Sequence, residues 1–254
     1  MNLDGMLDNG MLGLFFVVIF GIILCTIFSF SRFQRISLRN ISAFTDFVHE
    51  VSSAIETGQR LHLTLGRGSL NGVQGASAFI GLSILGKIVQ SSYLSDYPPL
   101  ATSGDANWSI LSEDTYNKAA KEIEPDTRIQ TDVNQMGGFT PMSYASSTLP
   151  IIYDQHVSLN VLSGHFGSEV ALITDAAERS GARTLAGSDG LTAQAIIYSS
   201  VDDPLLGEEL YAAGTYVQSG PQHLASLITQ DVMRWILVLI ILGGGLLHFL
   251  GILW

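Results

Sequence analysis

The sequence predicts an α/β fold: a Rossmann-like parallel sheet of about 4–5 strands with helices on both faces, flanked by an N-terminal and a C-terminal transmembrane helix. Three observations predict it. Short alternating or apolar runs take turns with helical patterns between residues 42 and 200. Most of those runs end in a Gly/Ser turn that leads straight into the next helix. Residues 11–30 and 235–254 carry no charged side chain at all.

The two ends come first because they set the frame. Each charge-free stretch is about 20 residues, roughly 30 Å as a helix, which matches the hydrocarbon core of a bilayer. Residues 11–30 lack a basic flank and a small-x-small cleavage site, and Asp4 and Asp8 precede them, so a retained span is expected rather than a signal peptide. The expected organisation is a short extracytoplasmic N-terminus (1–10), a first span (11–30), a cytoplasmic α/β domain (31–234) and a second span (235–254). Arg32, Arg35 and Arg39 follow the first span and Arg234 precedes the second, while the outer flanks have no Lys or Arg. The positive-inside rule then places the domain in the cytoplasm with both termini outside. Cys25, the one cysteine, lies in the first span, so no intrachain disulfide can form.

The elements between the spans are read in order. SAFTDFVHEVSSAIET (42–57) places Phe44, Phe47, Val48, Val51 and Ile55 at helical spacing, with Ser42 as its cap and Gly58 as its stop. LHLTL (61–65) alternates as a strand. Residues 73–90 read as a helix rich in small residues, 99–103 as a short strand, and WSILSEDTYNKAAKEIE as a helix capped by Asn107. A strand is expected near Ile129–Val133, although the stretch 125–140 is ambiguous. Thr140-Pro141 opens a helix with proline at its first position. Residues 157–162 form a strand, 168–180 a helix ending at Gly181, 183–187 a strand, and Thr192 starts another helix. Gly220-Pro221 begins the helix that enters the second span.

Charge narrows the function. Between Ile41 and Asp231 there are 21 Asp/Glu against 8 Lys/Arg, the reverse of a nucleic-acid surface. No nucleic-acid partner is expected. The juxtamembrane arginines instead suit anionic lipid headgroups.

Four turns converge on one edge if the strands are parallel: Gly66-Arg67-Gly68-Ser69, Ser103-Gly104-Asp105, Ser163-Gly164-His165-Phe166-Gly167-Ser168 and Gly187-Ser188-Asp189-Gly190. Ligands of open α/β sheets bind at such strand ends. Backbone N–H groups beside glycine, and the helix N-termini beyond, favour an anion, with Arg67 as its charged contact. The candidate ligand-binding residues are therefore Gly66, Arg67, Gly68, Ser69, Ser103, Asp105, Ser163, Gly164, His165, Gly167, Ser168, Ser188 and Asp189. The same residues also serve plain βα turns, which need glycine for positive φ and serine for capping. A dinucleotide fingerprint would need glycine at 71, where Asn71 stands. No Walker sequence, zinc motif or G-x-S-x-G elbow occurs, so no catalytic residue, metal or cofactor is assigned. Ser69, Ser163, His165 and Asp189 nonetheless share the strand ends, which keeps a Ser-His-Asp hydrolase open.

In the second span, Gly243, Gly244 and Gly245 are followed by His248 and Gly251; Gly244, His248 and Gly251 share one helix face. Small residues let another helix approach closely, either residues 11–30, where Gly13 and Gly21 share a face, or a neighbouring subunit.

RISLRNISAFTDFVHEVSSAIETGQRLHLTLGRGSLNG, SGHFGSEVALITDAAERSG, AGSDGLTAQA and GEELYAAG together resemble an uncharacterised, membrane-anchored bacterial domain-of-unknown-function family of Chloroflexota type. The resemblance covers roughly residues 35–234. It implies a cytoplasmic α/β domain held on membrane helices and carries no activity, cofactor or catalytic residue. Three functional classes remain: a non-catalytic subunit that self-associates or scaffolds a larger membrane complex, a sensor of a small anionic ligand or nucleotide, and a serine-type hydrolase.

Overall fold

The structure, a computed structural model, describes residues 3–31, 41–129, 132–218 and 221–249. It divides into two compact units, residues 39–218 and a second made of residues 1–38 with 219–254.

The larger unit is a six-stranded, all-parallel sheet in the order β3-β2-β1-β4-β5-β6. Its strands are β1 (Arg60–Gly66), β2 (Leu100–Ser103), β3 (Asn134–Met136), β4 (Val157–His165), β5 (Arg183–Ser188) and β6 (Asp203–Leu205). Helices α2 (Ser42–Thr57), α3 (Ala76–Ser92), α4 (Ala106–Ile123) and α8 (Glu208–Gln218) share one core with Leu61, Leu63 and Leu65 of β1. Helices α5 (Pro141–Asp154), α6 (Val170–Ser180) and α7 (Leu191–Ser200) build a second core, with Leu162 of β4 and Ala186 of β5. The sheet is thus wound on both faces. Helix α5 carries the chain from edge strand β3 back to β4 beside β1, and the direction of winding reverses there.

Several expectations are refined. There are six strands, because β6 and α8 follow α7. The strand expected near 129–133 begins at Asn134 instead; residues 130 and 131 lie outside the described residues. Ser42 is the first helical residue of α2 rather than its cap, and Ile41 at the cap position makes no side-chain bond. Gly58 closes α2 in the left-handed conformation, φ 64°, as Gly181 closes α6 at φ 75°. Asp105, not Asn107, caps α4, its carboxylate accepting from the Asn107 N–H at 2.8 Å. Thr140 and Ser143 form a reciprocal capping box, with Pro141 as the first helical residue between them. Strand β4 runs on to His165, so the first half of the Ser-Gly-His-Phe turn is strand.

The alternation in β1 buries polar residues as well as leucines. His62 is fully buried; its Nδ1 lies 2.7 Å from Asn160 Oδ1 and its Nε2 3.1 Å from Thr102 Oγ1. Thr64 bonds the Tyr144 hydroxyl from α5. Both faces of a doubly wound sheet are covered, so the side facing α5 needs its polar groups to satisfy one another. Burial pulls the His62 pKa down to about 4, against the raising effect of Asn160, and keeps the ring neutral.

In the smaller unit, α1 (Leu3–Ser31) and α9 (Pro221–Phe249) pack against each other. Leu224–Phe249 is long and apolar enough to cross a membrane, and α1 carries a shorter apolar stretch, Gly13–Ser29. The segment Leu224–Phe249 overlaps the expected span 235–254, of which residues 250–254 lie outside the described residues. A Cβ built on Gly13, Gly21, Gly243, Gly244 or Gly245 meets nothing within 4 Å. Among the described residues, nothing in the chain therefore packs directly onto these glycines. Gly251 lies outside the described residues.

Candidate functional site

Because every strand is parallel, the turns after β1, β2, β4 and β5 do lie on one edge, and β1 and β4 flank the point where winding reverses. The four turns are thus neighbours along that edge, as a parallel sheet requires. What their side chains do there differs from the expectation.

Gly66 turns the chain out of β1 with φ 70°, and a Cβ on it would lie 2.5 Å from the His165 carbonyl oxygen. The Arg67 N–H donates to that same oxygen at 3.0 Å. Gly68 is held from the other side by the Trp108 indole, whose Nε1–H donates to its carbonyl at 2.6 Å. These glycines permit close approach of one turn to the next. Their positions follow from packing of the edge.

Arg67 reaches from the β1 turn to the start of α6. Its stem lies over Gly104, where a Cβ would come within 2.5 Å of Arg67 Cγ. Its Nε donates to Glu169 Oε1 at 2.9 Å, and Nη1 reaches the Phe139 carbonyl at 3.5 Å. Glu169 Oε1 also accepts from the Gly167 N–H at 3.0 Å. Burial pushes the Glu169 carboxyl up, but the Gly167 N–H, the Arg67 guanidinium and the residue's own N–H outweigh it and hold the group below the usual carboxylate range. Glu169 therefore sits ionised at the start of α6, where the helix dipole favours a negative charge. Asp105 caps the start of α4.

Two of the places expected to hold an anion are thus held by the chain's own carboxylates. Glu169 was missing from the sequence-derived candidates. Its signal was an acidic residue between the Gly167-Ser168 turn and an apolar helix.

The serines are engaged as well. Ser103 is buried and donates to Asn134 Oδ1 at 3.1 Å, within a cluster that includes Ser109 and Ser112. Ser163 donates to the Ser77 carbonyl at 2.9 Å. Ser188 accepts from the Phe166 and Gly190 N–H groups at 3.2 and 3.1 Å, joining the β4 and β5 turns. Gly164 lies buried against Leu65, while Ser69 and Ser168 are exposed. His165 Nδ1 is 2.7 Å from Asp189 Oδ1, which orients the ring and leaves Nε2 as its second polar atom. A His-Asp pair is therefore assembled; of the serines proposed to join it, Ser163 points into a structural bond instead. A cleft of about 480 Å³ lies at the opposite edge of the sheet, lined by Gly181, Arg183 and Val201. Among the described residues, no group of three or more His, Cys, Asp or Glu is placed to hold a metal ion.

The family model of a domain of unknown function, DUF6754, matches residues 7–254. The chain belongs to this family. No curated protein and no solved structure is detectably similar. Membership in DUF6754 covers the α/β unit together with both apolar helices, so the match is to the whole arrangement and not to the sheet alone.

Proposed function

We propose that this DUF6754 chain is a membrane-anchored, non-catalytic α/β subunit that associates with further copies of itself or with other subunits of a membrane complex. The observation that carries this reading is the mutual satisfaction of the strand-end groups: Arg67 with Glu169, Asp105 with the α4 N-terminus, Ser103 with Asn134, Ser163 with Ser77, Ser188 with the β4 and β5 turns. A reaction centre keeps a nucleophile and its base within reach of substrate. Here those groups hold the edge together.

Anchoring through both helices, residues 11–30 and 235–254, with the domain on the cytoplasmic face of a bacterial inner membrane, is supported by the apolar α9 and by Arg32, Arg35, Arg39 and Arg234. Association is supported by Gly243 and Gly244, whose Cα faces stand open within one chain, with His248 one turn beyond Gly244. Gly244→Leu should shrink the particle measured by native mass spectrometry in mild detergent while leaving the α/β unit folded. An unchanged particle would remove this face from the assembly. Protease protection of residues 60–200 in inside-out but not right-side-out vesicles would reverse the assigned orientation.

A second reading, a sensor that binds a small molecule in the crevice, has one specific observation in its favour. Glu169 Oε2 is buried and has no hydrogen-bond partner of good geometry.

A further inference from the structure

We infer that helix α3 carries a site for a single-chain fatty carboxylate, its hydrocarbon tail in the apolar cavity between α2, α3 and α8 and its carboxylate between Lys87 and Lys118. The site lies away from the strand-end edge and depends on neither reading above.

Space for the tail comes from three helices. Phe47, Val51 and Ile55 of α2, Ile88 of α3 and Val217 of α8 line a cavity of about 230 Å³. Val48, also in its wall, stays 57% exposed. The polar lining is limited to Ser52, Ser91 and Lys87, so the cavity favours hydrocarbon over a polar solute. Its volume falls below the roughly 300 to 1,000 Å³ of a site for a drug-sized ligand. That size suits one alkyl chain and excludes a two-chain lipid.

The head group follows from charge. Lys87 also lines a second cavity, of about 350 Å³ between α3 and α4, where Lys118 joins it. The chain has three lysines, Lys87, Lys118 and Lys121. Lys121 lies in the last turn of α4, where the helix dipole accounts for a cation. Among the described residues, Lys87 and Lys118 make no hydrogen bond or ion pair, although Asp114 and Glu122 each lie one helical turn from Lys118. Arg60, Arg67 and Arg183, by contrast, all bond side chains of the same unit. Glu122, in the wall of the second cavity, is turned to Gln90, whose Nε2–H donates to its Oε2 at 2.7 Å. A lone exposed lysine is only a solvated side chain. Here two border one polar cavity, and one of them borders the apolar cavity too. In a chain of net charge −11, that placement selects an anion with an apolar tail.

The test uses the full chain in phosphatidylcholine nanodiscs. The probe is decanoic acid with a diazirine near its methyl end, and labelled peptides are read by mass spectrometry. Label should fall on residues 47–55, 87–91 or 217, and sodium octanoate should compete with it more strongly than octan-1-ol. Lys87→Gln and Lys118→Gln should each weaken octanoate competition about threefold to fivefold, the worth of an exposed ion pair, and together about tenfold or more. Ser91→Trp, at an exposed position, fills the apolar cavity and should abolish label there while keeping both lysines. Label confined to α1 and α9, or unaltered by Ser91→Trp, overturns the inference. Equal competition by octan-1-ol, or competition unchanged in the double lysine variant, also overturns it by removing the carboxylate's role. Inorganic phosphate competing as well as octanoate overturns it too, since the site would then serve a free anion.

Discussion

Glycine does opposite work in the two units. In the α/β unit, a Cβ on Gly66, Gly68 or Gly104 would collide with a neighbouring turn. In the helix pair, a Cβ on Gly13, Gly21 or Gly243–Gly245 would meet nothing. The first set makes contacts that the chain completes by itself, which is how the strand-end edge closes over its own polar groups. The second set carries the helix-propensity cost of glycine without an intrachain contact in return.

The comparison breaks first at Gly66. Alanine there must adopt φ 70° and press on the His165 carbonyl, so Gly66→Ala should lose roughly 3 kcal/mol or more in urea unfolding. A loss below about 1 kcal/mol would mean the β1 and β4 turns are looser than their geometry implies.

The buried polar face sharpens the same contrast through pH. His62 has a folded-state pKa of about 4, below its ordinary 6.5. As pH falls, the unfolded chain takes up the proton first, so stability is lost between about pH 6.5 and 4 and is fully present above that window. The 2.5-unit difference corresponds to about 3 kcal/mol. Urea midpoints measured across this range should fall for the native chain and fall less for His62→Gln.

A smaller effect is expected at Trp108, beside the β1 turn. Trp108→Phe keeps most of the buried ring but removes the indole bond to Gly68, which should cost about 1–2 kcal/mol and leave the helix pair unchanged. The smallest effect belongs to the open glycines. Gly243→Ala should be neutral or stabilise α9 by up to about 1 kcal/mol in the dissociated chain, measured by helix content in detergent. Destabilisation there would reveal a tight neighbour within the chain and end the contrast.

Much of this molecule was legible along the chain because helices and strands are set by side-chain periods of 3.6 and 2 within a few residues. The amphipathic run 42–57, the Thr140-Pro141 start and the Gly58 and Gly181 stops are local signals, and each marks an element boundary. The parallel class followed from the alternation of strand and helix, and with it the shared edge of the four turns. Strand β6 was not legible. Asp203-Pro204-Leu205 is three residues long and contains proline, which a sheet tolerates at its edge and a reader takes for a loop.

The strand order and the partners at the edge came only with the tertiary structure. Arg67 and Glu169 are 102 residues apart, and His62 and Asn160 are 98 apart. Nothing local marks Arg67 as the partner of an acid rather than of a ligand, because its charge suits both. Whether a polar side chain faces solvent, a ligand or another side chain depends on which turns the crossover through α5 brings side by side. The sequence by itself determined the local elements, the apolar ends and the glycines at the turns; three-dimensional pairing decided that most of the edge is satisfied from within, and left one oxygen of Glu169 over.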